Sequence, residues 1–379
     1  MKKVFNCILV VTLVACHKPS KVVERPSEIT SSIKYAQGFN IRNEGKARWV
    51  TVSYPYQGAT SGYQYLLVPR GTEIPAHDAS VQVIETPIER IVCTSTTHLP
   101  HLDYLGLSEK LVGFPTTNYV SSEKIRKRID EGAVVDLGID KGMNIELLFA
   151  QKPELVMGYT MSGDLGQLKK IQELNIPVVI NAEYLERTPL GRAEWIKFTS
   201  LFFEKEKEAD SVFSAIENNY LTLSRSFAEV TDKPTVLSGI VYGDTWFMPG
   251  GKNYAAQILH DAGCHYLWRD DDSHGFLELS FESVYEKAKD ADFWIGAGAF
   301  TTLAEMKAAE KRYALFKAFQ NKQVYTYNAR LGARGGNEFL ELGYLRPDIV
   351  LRDLIKITHP EMLPEYELYF YKPLDGDQK

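Results

Sequence analysis

EKEADSVFSAIENNYLTLSRSFAEV, residues 206–230, decides how the rest of the chain is read. Its apolar side chains fall at Ala209, Val212, Phe213, Ile216, Tyr220, Leu223 and Phe227. The offsets from Ala209 are three, four, seven, eleven, fourteen and eighteen, which trace one helical stripe. Glu206, Lys207, Glu208, Asp210, Glu217 and Asn218 occupy the opposite face, and Pro234 closes the segment. At about 1.5 Å per residue such a helix is roughly 36 Å long, the width of a small domain. The half of the chain before it resembles the half after it. The sequence predicts a rod between two similar halves.

Before the rod, short apolar strands alternate with helices: strands at 90–94, 110–114, 154–158 and 177–180, with helices at 99–105, 145–150 and 165–174 between them. After it the rhythm resumes, with strands at 235–241, 293–296 and 323–327 and helices at 253–262, 281–287, 313–319 and 348–357. Such alternation predicts an α/β chain of two lobes, each a mostly parallel sheet flanked by helices and joined by the long helix. Residues 49–54 and 63–69 are β-branched and aromatic with turn residues between them. They predict an additional N-terminal β-hairpin region. The halves correspond at one place. Asn144-Ile145-Glu146 leads into the strand at Leu155, and Ser280-Phe281-Glu282 leads into the strand at Phe293, two residues further on.

Met1 to Cys16 has the form of a secretory signal. Lys2 and Lys3 precede the apolar run 7–11, and Leu13-Val14-Ala15-Cys16 is a lipobox that makes Cys16 a diacylation site. The division expected is a signal peptide at 1–15, a lipid-anchored tether at 16–34, an N-terminal lobe with the hairpin extension at 35–190, connecting helices at 191–230 and a C-terminal lobe at 231–379. The chain has 379 residues, 44% hydrophobic and 24% charged, the composition of a globular protein. Its formal charge of −6 argues against a nucleic-acid partner. Cys93 and Cys264 lie in different halves, without the spacing of a metal site, and read as small buried residues.

Ile88-Glu89-Arg90-Ile91-Val92 with Leu105-Gly106-Leu107, Met143-Asn144-Ile145-Glu146 with Ala150-Gln151-Lys152-Pro153, and Pro249-Gly250-Gly251-Lys252-Asn253 succeed one another around the long helix. Their order resembles the siderophore and vitamin B12 binding proteins of ABC importers over about residues 87–360. The resemblance implies two lobes on one rigid helix, a ligand in the cleft between them, no catalytic step and no cofactor. It also implies that a glutamate on each lobe, here Glu146 and Glu282, docks onto a permease dimer that works with an ATPase. The cargo implied is a ferric siderophore or a cobamide, with haem third. The protein is expected in the periplasm as a monomer on a lipid anchor. A single rod also implies a small opening motion.

Ligands of α/β lobes gather at the carboxyl ends of strands. Tyr119, Tyr159 and Trp246 lie in such loops, and rings there supply area at low entropic cost. Arg330 and Arg334 flank a glycine-rich loop after the last strand and could clamp an anion. His98 is expected in the loop after the first strand of its lobe, where it could touch the ligand. With His101, three residues on, it opens the competing reading of a metal-dependent enzyme. An interaction-only lipoprotein is the third reading. The sequence contains no nucleophile elbow, phosphate-binding glycine loop or zinc signature.

Overall fold

Short runs of β-branched and aliphatic residues, too brief for stable helices, make the strands of two parallel sheets. The structure is a computed structural model that describes residues 33–227, 230–231 and 233–374. Cys16 and the signal sequence lie outside the described residues.

The chain begins with β1 (Phe39–Glu44), β2 (Ala47–Val52), β3 (Tyr63–Pro69) and β4 (Gln82–Thr86). They form one sheet in that order, antiparallel except for the parallel β3–β4 pair. The expected hairpin is thus a four-stranded sheet, because a crossover returns the chain parallel to β3. It joins the N-terminal lobe: Phe39 packs on Trp195, and the Gln82 side chain bonds both backbone groups of Val178.

The N-terminal lobe runs β5 (Ile91–Cys93), α1 (Leu99–Tyr104), β6 (Leu111–Phe114), α2 (Glu123–Asp130), β7 (Val135–Asp136), α3 (Ile145–Ala150), β8 (Leu155–Gly158), α4 (Gln167–Glu173) and β9 (Val178–Ile180). Its sheet has the order β7-β6-β5-β8-β9, all parallel, and β5, β6, β8 and β9 are buried throughout. Two helices come next, α5 (Pro189–Leu201) and α6 (Glu206–Phe227).

Helix α6 is the expected rod, and its stripe serves both lobes. Ala209, Phe213 and Ile216 are buried in its first half, where Asp210 pairs with Lys197 of α5 at 3.3 Å. Tyr220 and Phe227 are buried in its second half, next to the other lobe. Each buried ring or aliphatic side chain contributes about 1.5–3 kcal/mol relative to exposure. The chain is also pinned to α5 and α6 where the tether was expected to end. Buried Glu194 accepts from the backbone N–H groups of Lys34, Tyr35 and Ala36, and Glu217 accepts from Lys34 Nζ and the Tyr35 hydroxyl.

The C-terminal lobe runs β10 (Thr235–Ser238), β11 (Ile240–Tyr242), β12 (Thr245–Pro249), α7 (Tyr254–Asp261), β13 (His265–Tyr266), β14 (Phe276–Leu279), α8 (Phe281–Ala288), β15 (Phe293–Ile295), α9 (Leu303–Ala309), α10 (Lys317–Gln320), β16 (Val324–Thr326), α11 (Glu338–Leu342), α12 (Pro347–Thr358) and β17 (Lys372–Pro373). The main sheet is β13-β10-β15-β16-β17, parallel but for β17, and β11-β12-β14 form a separate antiparallel sheet. The α6 residue Tyr220 bonds Asp261 of α7 at 2.6 Å, and Phe227 packs on the His359 ring.

Two expected elements break. The run 235–241 divides at Gly239, whose φ of 81° favours glycine and where a Cβ would lie 2.0 Å from the Phe247 carbonyl oxygen. The segment 313–319 is a tight turn over Lys311–Leu315 and then α10, with Phe316 extended between them. Cys93 and Cys264 are free and buried.

Candidate functional site

The lobes meet through loops that leave the carboxyl ends of their strands. The loop after β16 lies directly on the loop after β6. At Gly336 a Cβ would come 2.2 Å from the Tyr119 carbonyl oxygen, so no larger residue fits there without moving a lobe. This contact brings three of the expected residues into one neighbourhood. Tyr119 is 63% exposed on the N-terminal lobe, and Arg330 and Arg334 are exposed on the C-terminal one. Beside them is a cavity of about 710 Å³ between the lobes, lined by Ser121, Ser122, Arg126, Arg330, Glu338 and Tyr369 among others.

The two arginines are not equivalent. Arg330 donates to Glu338 at 2.8 Å, and its guanidinium lies 4.4 Å from the Tyr369 ring centroid. Its bond to Glu338 raises its pKa further. Arg334 makes no ion pair among the described residues.

Tyr159 comes directly after β8 and is half-buried; burial first, and then the charge and hydrogen bond of Asp140, push its phenol up. Next to it, Tyr184 donates to the Thr160 carbonyl at 2.7 Å, and burial pushes its phenol up to about 12. The loop between β2 and β3 reaches this edge as well. A Cβ on Gly163 would be 3.0 Å from the Tyr56 hydroxyl. The run Tyr54-Pro55-Tyr56 was its only signal in sequence, and nothing local says where such a loop goes.

Trp246 and His98 differ from expectation. Trp246 belongs to β12 and is completely buried within its own lobe. Its ring stacks on Trp294 at 5.2 Å and contacts Phe281, Tyr313 and Phe316, and its N–H donates to the Ser238 carbonyl. The turn at Gly239 folds β12 back over the main sheet, so the indole faces inward and offers no surface to a ligand.

His98 is likewise completely buried, at the start of the helical segment rather than on an open loop. Burial pushes both His98 and His101 down to about 3, which keeps them neutral. His101 Nδ1 is 2.8 Å from the Thr199 hydroxyl, whereas His98 Nε2 is 3.9 Å from buried Glu183. Among the described residues no three His, Cys, Asp or Glu side chains converge as a metal-binding group.

Glu146 and Glu282 occupy the same position of equivalent helices. Each is the second residue of its helix, after an N-cap whose side chain accepts from the N–H of the residue after the glutamate. Leu147 N donates to Asn144 at 3.0 Å, and Ser283 N donates to Ser280 at 3.2 Å. Both carboxylates are exposed. Glu146 has no ion pair among the described residues, while Glu282 pairs with Arg312 at 3.1 Å.

Residues 91–331, well over half of the chain, match the family model described as periplasmic binding protein. The chain belongs to that family. The match spans the N-terminal lobe's parallel sheet, the rod and the C-terminal main sheet except β17; the N-terminal sheet, α11, α12 and β17 lie outside it. An uncharacterized lipoprotein of Methanocaldococcus jannaschii is 27% identical over 366 residues, covering 90% of this chain and 85% of its own. A second uncharacterized lipoprotein of that organism is 26% identical, covering 93% and 89%.

Among solved structures, a possible iron-binding (periplasmic solute-binding) protein of Staphylococcus epidermidis superposes with a TM-score of 0.56 at 20% identity. It covers 72% of this chain and 100% of its own. A periplasmic haem binding protein of Pseudomonas aeruginosa gives 0.56 at 16% identity, covering 77% and 100%. These two show the same fold. The helical-backbone class expected from the sequence, with two lobes on one long helix, is borne out. No helix among the described residues is long and apolar enough to cross a membrane.

Proposed function

We propose that this protein is the solute-binding component of an ABC importer, anchored through Cys16 outside the cytoplasm. It takes an iron–siderophore complex or a cobamide, with haem third, in the cleft between its lobes and hands it to the permease dimer. The observation that carries the reading is the matched pair Glu146 and Glu282, one exposed carboxylate at the same turn of each lobe. Two carboxylates at a separation held by one rod suit two arginines of a twofold receptor, because carboxylate–guanidinium bonds are bidentate and charge-assisted. Cleft contacts are assigned to Tyr119, Tyr159 and the Arg330–Arg334 loop. Arg334 supplies the available cation, since Arg330 is already held by Glu338.

Glu146→Lys or Glu282→Lys should cut uptake in cells and leave ligand affinity unchanged. A fall in affinity instead would remove the docking role. Affinity is best read by calorimetry over a panel of ferric siderophores, haemin and cobamides. Trp246 is too deeply buried to report binding by direct contact. Failure of the whole panel would overturn the cargo class.

A further inference from the structure

Buried carboxylates act as staples throughout this molecule. Glu194 holds the backbone at 34–36, and Asp353 of α12 accepts from the N–H groups of Tyr369, Phe370 and Tyr371. These two fasten terminal segments. Glu341 of α11 does something else. It is 3% exposed, and its two oxygens accept from Ser121 N at 2.6 Å and Ser122 N at 2.9 Å. Those amides precede α2, so a carboxylate of the C-terminal lobe sits at a helix start of the N-terminal lobe, where negative charge is favoured.

The contact is tightly built. Ser122 is the N-cap of α2, and its hydroxyl donates to Asp103 of α1 at 2.6 Å. A Cβ on Gly332 would lie 2.7 Å from Ser121 Cα. Helix α11 packs against 96–104. Asp103 and Glu338 act on Glu341 electrostatically; the segment that α11 packs against also carries His98, His101 and Tyr104, and α2, which begins after Ser122, carries Glu123 and Arg126.

We propose that Glu341 is the clasp between the lobes: it holds the Arg330–Arg334 loop over the N-terminal lobe, and its release is the step that opens this side of the cleft. The family match ends at residue 331, before Glu341. The clasp's effect on ligand exchange rests on the cargo reading. The clasp itself is measured without ligand, so the two can fail separately.

Hydrogen exchange on the whole mature protein tests it first. In the wild type, the amides of Ser121 and Ser122 should exchange far more slowly than those of Glu123 and Lys124 in the first helical turn, which bond no backbone acceptor. In Glu341→Ala the two protected amides should exchange about 10-fold faster, the loss to each of a hydrogen bond worth about 1 kcal/mol.

The second readout is a distance between spin labels at Lys169→Cys and Lys307→Cys, exposed sites on opposite lobes, with Cys93 and Cys264 buried out of reach. Glu341→Ala should broaden and lengthen that distance. Unprotected Ser121 and Ser122 amides in the wild type would overturn the clasp. So would faster exchange in the variant with an unchanged inter-lobe distance, which would leave Glu341 a local staple. The wild-type measurement decides even if the variant folds poorly.

Discussion

The two lobes share a plan and differ in how they hold the same residue. In both, a central parallel strand is preceded by a capped helix with glutamate second. On the N-terminal lobe that glutamate stands bare, and Leu147 and Phe149 beside it are 43% and 56% exposed. On the C-terminal lobe Glu282 belongs to a small network. Arg312 bonds it, bonds Glu310 through two nitrogens, and lies over the Phe281 ring at 4.1 Å. A partner would read a bare carboxylate with apolar surroundings on one side and an arginine-bridged carboxylate pair on the other. Equal position in a motif therefore does not mean equal electrostatics.

The charge reversals should expose that difference most strongly. Glu146→Lys leaves its lobe with no carboxylate at the helix start and should abolish uptake. Glu282→Lys leaves Glu310 close by, so residual uptake of a few per cent to about a tenth is expected, the size of effect that one or two kcal/mol allows. Equal loss from both would break the comparison.

The cores differ too. The C-terminal lobe is built around stacked Trp246 and Trp294, whereas the central strands of the N-terminal sheet are aliphatic. Trp246→Ala should destabilise the protein by about 3–5 kcal/mol, read by chemical unfolding, and leave ligand affinity nearly unchanged. Lost affinity with little lost stability would return Trp246 to the cleft.

The sequence showed the rod because a stripe on one helix is a local property, legible from seven residues at helical spacing. The helix-start positions of Glu146 and Glu282 were legible for the same reason, since a cap and the second residue beyond it lie within one turn. Trp246 was misplaced because its environment depends on the left-handed turn at Gly239 and on Trp294, far along the chain. His98 looked like a loop residue because Pro100 was read as a helix start without the turn before it. Glu341 carried no signal at all. Its partners are backbone amides about 220 positions away, brought together by the seating of Gly332 and Gly336 on Ser121 and Tyr119.

That junction should also respond to pH. Burial, with Asp103 and Glu338 nearby, pushes Glu341 up to about 7 from an ordinary 4.5, against the lowering effect of the two amides. The closed junction thus binds the proton more tightly than an open one. Its contribution to closure is fully present below about pH 4.5 and is lost as pH rises through about 7, at most about 3 kcal/mol. The label distance should lengthen from pH 5 toward pH 8, roughly the span of that titration. Glu341→Gln, which stands for the protonated form, should flatten the response. A response that survives in the variant would assign the titration to another group.

The smallest effect is expected at Arg312. It is half-exposed, and Glu282 is 76% exposed, so their bond is a surface pair that water and salt weaken. In the proposed docking, Glu282 would exchange Arg312 for an arginine of the permease. A weak pair exchanges readily, so Arg312→Ala should change uptake by less than about twofold, and upward if at all. The variant also makes the two lobes alike, each presenting an uncompensated carboxylate at its helix start. If uptake instead fell as far as in Glu282→Lys, Arg312 itself would be what the partner reads, and the C-terminal lobe would dock through a cation where the N-terminal lobe docks through an anion.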